Sequence, residues 1–123
     1  MTVRDVMNIV RGVCLAGEDH LDDPVDTACG SDLMSDVLAF VKDKTVLITG
    51  LINPQVIRTA EMLDIECIIF SRGKRPSDEI LEMANEIGMV ILSSHMTTYT
   101  ACGELYMNGL PGTKAKTGVN GGA

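Results

Sequence analysis

Between Thr45 and Leu92, short and nearly unbroken apolar runs alternate with stretches whose apolar residues recur at helical spacing. The runs are Val46-Leu47-Ile48, Ile65 to Phe70, and Met89 to Leu92. Strands buried on both faces have this composition, and such burial is typical of a parallel sheet enclosed by helices. The intervening stretches carry helix punctuation. Asn53-Pro54 reads as an N-cap followed by proline at the first helical position. Val56, Ile57, Ala60 and Leu63 then share one face. Pro76 and Ser77, with Asp78 and Glu79 in the first turn, open a second helix. Ile80, Leu81, Ala84 and Ile87 form its buried face, and Gly88 ends it. Each gap between runs is long enough for a helical crossover, which is right-handed in nearly all proteins.

The flanks follow the same logic. Val3, Val6, Met7 and Val10 fit a short amphipathic helix ended by Gly12, and Val13 to Ala16 fits a short strand. Glu18 to Asp26 holds five acids, Pro24 and no Lys or Arg, which predicts a solvated turn region. Val25, Thr27 and Cys29 alternate with polar or small residues, as in an edge or half-buried strand. Gly30-Ser31-Asp32 then opens a helix, with Ser31 as N-cap and Asp32 in the first turn. Leu33, Met34, Val37, Leu38 and Val41 make its apolar stripe. A last helix from Thr97 or Thr98 to Asn108 turns Ala101, Cys102, Leu105 and Tyr106 inward and is capped by Gly109. The pattern predicts an α/β three-layer sandwich with a mostly parallel sheet flanked by helices. One domain spans residues 1–110, and residues 111–123, with four Gly and little apolar content, form a flexible C-terminal tail.

Composition sharpens this picture at three points. With two Tyr, two Phe and no Trp, the core must be built from Ile, Leu, Val, Met and Ala. A net charge of −7 argues against nucleic acid or an anionic membrane as the partner. The four cysteines, Cys14, Cys29, Cys67 and Cys102, contain no Cys-x-x-Cys pair, which excludes a zinc ribbon or a thioredoxin motif. They read as reduced thiols of a cytoplasmic protein. No apolar run reaches the ~18 residues of a membrane span. The scattered Arg4, Asp5 and Arg11 are unlike a signal peptide.

In open parallel sheets, ligands bind beyond the carboxyl ends of the strands. The loops at those ends are Gly30-Ser31-Asp32, Thr49 to Asn53, Ser71-Arg72-Gly73-Lys74-Arg75, and Ser93-Ser94-His95-Met96-Thr97-Thr98. Each precedes a helix N-terminus, where free backbone N–H groups attract anions. Arg72, Lys74 and Arg75 add positive charge there in an otherwise acidic chain. The candidate ligand residues are therefore Ser31, Asp32, Thr49, Gly50, Asn53, Arg72, Gly73, Ser93, Ser94, His95 and Thr97. The expected ligand is a small anion such as a nucleotide or an acyl phosphate. The same residue types also serve as ordinary caps and turns, and convergence of the four loops is what favours a site.

Other motifs carry less. Thr49 to Pro54 lacks the Gly-Lys-Ser/Thr ending of a phosphate loop and the Gly-x-Gly-x-x-Gly spacing. Asp19, Asp22, Asp23 and Asp26 lack calcium-loop spacing, and His20 and His95 lack metal-ligand spacing. His95 could act as a general base, but no nucleophile accompanies it. Cys102, near a helix start, is a candidate for a depressed pKa. No catalytic residue, cofactor or metal is assigned.

The order of these features resembles the DRTGG domain family, and more distantly the N-terminal domain of HPr kinase/phosphorylase. The resembling stretches are Val46 to Val56, Cys67 to Pro76, Ala84 to Leu92, and Thr97 to Leu105. The loop around Gly50 to Gln55 stands where the family has Asp-Arg-Thr-Gly-Gly, and it has no Asp-Arg. The kinase activity of the HPr enzyme is not implied, since it resides in a separate domain with a phosphate loop. The resemblance implies a stand-alone, non-catalytic regulatory or protein-interaction domain, homodimeric, of a family whose ligands are poorly defined; the small anionic ligand to be sensed comes from the loop edge. It also implies a redox or signalling protein as partner. Alternatives are a plain nucleotide or acyl phosphate binding module, and an enzyme using His95, Asn53 or Cys102 at the loop edge.

Overall fold

The computed structural model describes residues 1–41 and 44–113, with Phe40 described by its backbone alone. The elements run α1 (Val3–Ile9), β1 (Val13–Ala16), a 3-10 turn (Glu18–His20), β2 (Thr27–Gly30), α2 (Met34–Phe40) and β3 (Thr45–Thr49). They continue with α3 (Pro54–Met62), β4 (Cys67–Phe70), α4 (Asp78–Glu86), β5 (Val90–Ser93) and α5 (Thr98–Met107). The sheet order is β1-β5-β4-β3-β2. Strands β2, β3, β4 and β5 are mutually parallel, and β1 is antiparallel to β5.

Every strand residue of β3 and β4 is buried, because helices cover both sides. Leu47, Ile68, Phe70 and Ile91 face one layer, where they meet Val37, Val56, Ile57, Ala60, Ile80 and Leu81 of α2, α3 and α4. Val46, Ile48, Cys67, Ile69, Val90 and Leu92 face the other, against Val3, Val6 and Val10 at α1 and Ala101 and Leu105 of α5. Complete burial of one such Ile or Leu side chain contributes about 1.5–3 kcal/mol, so the two layers hold the sheet from both sides. Among the described residues no helix is long and apolar enough to cross a membrane.

Caps set the helix starts. The Asn53 side chain accepts from Val56 N–H, with Pro54 at the first helical position. Ser77 and Thr97 do the same for α4 and α5. Thr2 and Asp5 form a reciprocal capping box at α1. Several expectations need correction. Ser31 is not the N-cap of α2; Leu33 holds that position with no side-chain bond, and Ser31 Oγ bonds to the Leu33 backbone instead. Leu33 and Leu38 are exposed, so the stripe of α2 narrows to Met34 and Val37, with Val41 partly buried. Ile87 and Tyr106 also face solvent. Arg11, with φ 53, takes the left-handed position after α1 in place of Gly12.

Residues 114–123 of the expected tail lie outside the described residues. Pro111 to Thr113 extend past the expected boundary at 110. Ala28 N–H donates to Pro111 O at 2.9 Å, and Thr113 N–H donates to Ala28 O at 3.3 Å. An edge strand presents unpaired backbone groups, and these three residues satisfy part of that edge on β2.

Gly17 tests the turn after β1. Its φ is +74, and a Cβ there would lie 2.4 Å from Met89 O, which is backbone and cannot swing aside. Gly17→Ala should lower stability by more than about 2 kcal/mol. Gly103→Ala, where a Cβ meets nothing within 4 Å, should leave stability unchanged or raise it by up to about 1 kcal/mol. Urea denaturation at one protein concentration measures both, and an equal response would reject this account of Gly17.

Candidate functional site

The parallel strands β2, β3, β4 and β5 release their chains on one side of the molecule, so the four predicted loops share a rim. At its centre is a cluster built from three loops. Asp32 Oδ1, from the loop after β2, accepts from Gly50 N–H at 2.7 Å and from Thr49 Oγ1 at 2.9 Å, both after or within β3. Lys74, from the loop after β4, donates from Nζ to Gly50 O at 2.7 Å. A Cβ built on Gly50 would stand 3.3 Å from Arg72 Nη2 and 3.7 Å from Asp32 Oδ1. The guanidinium and the carboxylate therefore flank the same glycine, and a side chain at position 50 would press on both. Arg72 is exposed and takes part in no ion pair among the described residues.

Backbone shape aims these groups. Arg72 and Gly73 both adopt left-handed φ, at 61 and 69. This double reversal lets Arg72 N–H donate to Met96 O at 2.8 Å and Gly73 N–H donate to Ser94 O at 2.7 Å, tying the β4 and β5 loops together. A Cβ at Gly73 would lie 2.7 Å from His95 Nδ1. A side chain at position 73 would push that ring aside, and the left-handed φ itself favours glycine there.

The other predicted residues divide into rim and support. Gly73 and His95 lie beside the central cluster. Ser93 Oγ donates to Lys74 O at 2.8 Å, and Ser94 Oγ donates to Val10 O at 2.7 Å from a buried position. Ser31, Asn53 and Thr97 bond to the backbone or side chains of their own helix starts. These five hydroxyls and amides hold the loops in place, and Ser94 lies beneath the rim. Ser71, absent from the candidate set, joins Thr98 Oγ1 at 2.7 Å and anchors α5 to the exit of β4. Arg75 points away, 3.4 Å from Asp78 in an exposed pair that contributes little.

Sequence reasoning missed Arg11. Because β1 is antiparallel to β5, the start of β1 sits at the same rim as the ends of the other strands. Val10, Arg11, His95 and Met96 line a concavity of about 340 Å³ there. Nothing in the sequence announces this, since the direction of β1 is set by pairing and not by local pattern.

Electrostatics concentrates on Asp32. Hydrogen bonds from Gly50 N–H and the Thr49 hydroxyl hold its carboxyl below the usual carboxylate range, with smaller help from the Lys74 and Arg72 charges. The thiols go the other way. Burial raises Cys14, Cys29, Cys67 and Cys102, so Cys102 is a packed thiol and not the depressed one that its place near a helix start allowed. No group of three or more His, Cys, Asp or Glu could hold a metal ion among the described residues.

Comparison with known proteins bears on the family and the fold. Residues 5–106 match the family model of the DRTGG domain. No curated protein matches the chain. Among solved structures, the CBS and DRTGG domains of the regulatory region of Clostridium perfringens pyrophosphatase, complexed with the activator diadenosine tetraphosphate, superpose with a TM-score of 0.71 at 16% identity. The alignment covers 96% of this chain and 52% of that one, so this chain spans about half its length. At that identity the likeness is one of fold.

The Asp32 bonds make a pH prediction. A carboxylate whose folded pKa lies below its unfolded value of about 3.9 stabilises the fold above that value and loses the contribution as pH falls through the folded pKa. Asp32→Asn should therefore be less stable than the parent at pH 7, and the gap should close below about pH 4. Urea titrations across that range check it; a gap independent of pH would reject the ionic contribution.

Proposed function

Because the chain belongs to the DRTGG domain family, we propose that it is a non-catalytic regulatory domain that binds a small anionic ligand at the carboxyl rim of its sheet. The observation that carries this reading is the pair of cations, Arg72 and Lys74, gathered with Gly50 in a chain of net charge −7. Arg72 offers a planar donor fork suited to phosphate or carboxylate. Gly50, lacking a side chain, lets Arg72 and Asp32 close in on its backbone. The raised thiols weigh against turnover through a thiolate.

A second observation favours self-association. The helix α5 is apolar on both sides: Ala101 and Leu105 pack inward, while Tyr99, Tyr106 and Met107 are 88%, 73% and 80% exposed. These three lie with Thr100, Cys102, Gly103 and Glu104 along a groove of about 560 Å³. A surface with three large apolar side chains and one charge is the kind that proteins cover, and aromatic and Met side chains are enriched in interface cores. The reading is a homodimer with α5 at its contact.

Two measurements test these points. Calorimetry against ATP, ADP, acetyl phosphate and diadenosine tetraphosphate should find binding to at least one, weakened roughly 10–100-fold by Arg72→Ala. Affinity unchanged in that variant would reject the rim. Sedimentation should give a dimer that becomes monomeric in Tyr106→Glu/Met107→Glu; a parent protein that is monomeric at micromolar concentration would reject self-association.

A further inference from the structure

We propose that Asp32 is a tethered occupant of the anion seat, so that the ligand binds by displacing a carboxylate supplied by the chain itself. This rests on the anion-binding reading above and adds to it the class of ligand group and the way the site is held closed.

The observations converge on one point in space. Asp32 Oδ1 takes the Gly50 N–H at 2.7 Å and the Thr49 hydroxyl at 2.9 Å. Lys74 Nζ sits on the carbonyl of the same glycine at 2.7 Å. Arg72 Nη2 lies beside that glycine without an ion-pair partner among the described residues. A backbone N–H, a hydroxyl and two cations are the partners that an oxyanion seeks. Asp32 already presents an oxyanion to them. It does so from an exposed side chain on a loop whose backbone is held by Ser31, so only the carboxylate has to turn away. It can therefore swing away without uncovering a core.

Tethering defines what can compete. A carboxylate held on the chain acts at an effective concentration in the millimolar range or above. A ligand with a single carboxylate gains nothing over it. A phosphoryl group carries about twice the charge and more acceptor oxygens, so it can engage Arg72 and Lys74 together. The seat is thus selective for phosphoryl groups over carboxylates, and the tether sets an affinity threshold that excludes weakly charged metabolites.

The test is calorimetry with inorganic pyrophosphate and with citrate on the full chain, in the parent, Asp32→Asn, Asp32→Ala and Asp32→Ala/Arg72→Ala. Asn keeps the acceptor oxygen for Gly50 and Thr49 but removes the charge, so it controls for collapse of the loop. Thermal denaturation confirms that each variant is folded. The expected order for pyrophosphate is Asp32→Ala tightest, about 10-fold or more tighter than the parent, with Asp32→Asn between them and the double variant losing the gain. Citrate, which has no phosphoryl group, should bind the parent more weakly than pyrophosphate does and should gain when Asp32 is replaced. If the parent binds pyrophosphate through Arg72 but neither Asp32 variant binds it more tightly, the tethered occupant is wrong and the anion site stands. If no folded variant binds pyrophosphate, both ideas fall.

Discussion

Helices packed on both faces of four parallel strands are the constraint from which the rest of this structure follows. A strand buried on both sides cannot reverse through a tight turn into a parallel neighbour, so each connection must cross a face, and the crossings from β3 to β4 and from β4 to β5 carry α3 and α4. The same constraint gathers all four strand exits on one side. Ile48, Ile69 and Leu92 anchor one layer and Leu47, Phe70 and Ile91 the other. With both layers close-packed, the loops beyond them are fixed at their roots, which is how Thr49, Arg72 and His95 come to share a rim despite their distance in sequence.

Charge follows the direction of the strands. The opposite end of the sheet has concavities lined by Glu61, Asp64 and Glu66, and by Glu18 and Asp19. The exit side has Arg11, Arg72 and Lys74. The exit side therefore attracts anions more than the acidic opposite end does. Asp32 moderates that attraction: it brings one negative charge to the centre of the positive rim and is held there by neutral donors from Thr49 and Gly50 as well as by the cations. Removal of those cations would therefore loosen the rim as well as weaken its attraction for a ligand.

Helix α5 shows how one element can serve two surfaces. Its inner side completes the second layer through Ala101 and Leu105, and its start is fixed to β4 by the Thr98–Ser71 bond. Its outer side keeps Tyr99, Tyr106 and Met107 in solvent. The proximity of Cys102 Sγ to Gly30, where a Cβ would approach to 2.5 Å, shows how closely the helix lies on the edge strand β2. The rim and the exposed face are thus joined through a single helix, whose position depends on a glycine at the end of β2.

The apolar runs at 46–48, 65–70 and 89–92 and the capping residues Asn53, Ser77 and Thr97 made the central strands and helices legible from the sequence, because period, caps and breakers are local properties. They also placed Thr49, Gly50, Arg72 and His95 at strand exits. Which way a partly apolar helix turns was not legible: Tyr106 and Ile87 satisfy the inward pattern yet face water, since the sheet offers each helix a limited width of cover. Nor was the role of Asp32, which looks like a first-turn acid of α2 but bonds to β3. The sequence determined the kinds of elements and their order, because those depend on neighbours three or four positions away. Only the tertiary structure decided that β1 runs antiparallel and brings Arg11 to the rim, and that Asp32 meets Gly50, because those contacts arise from packing between segments that share no local signal.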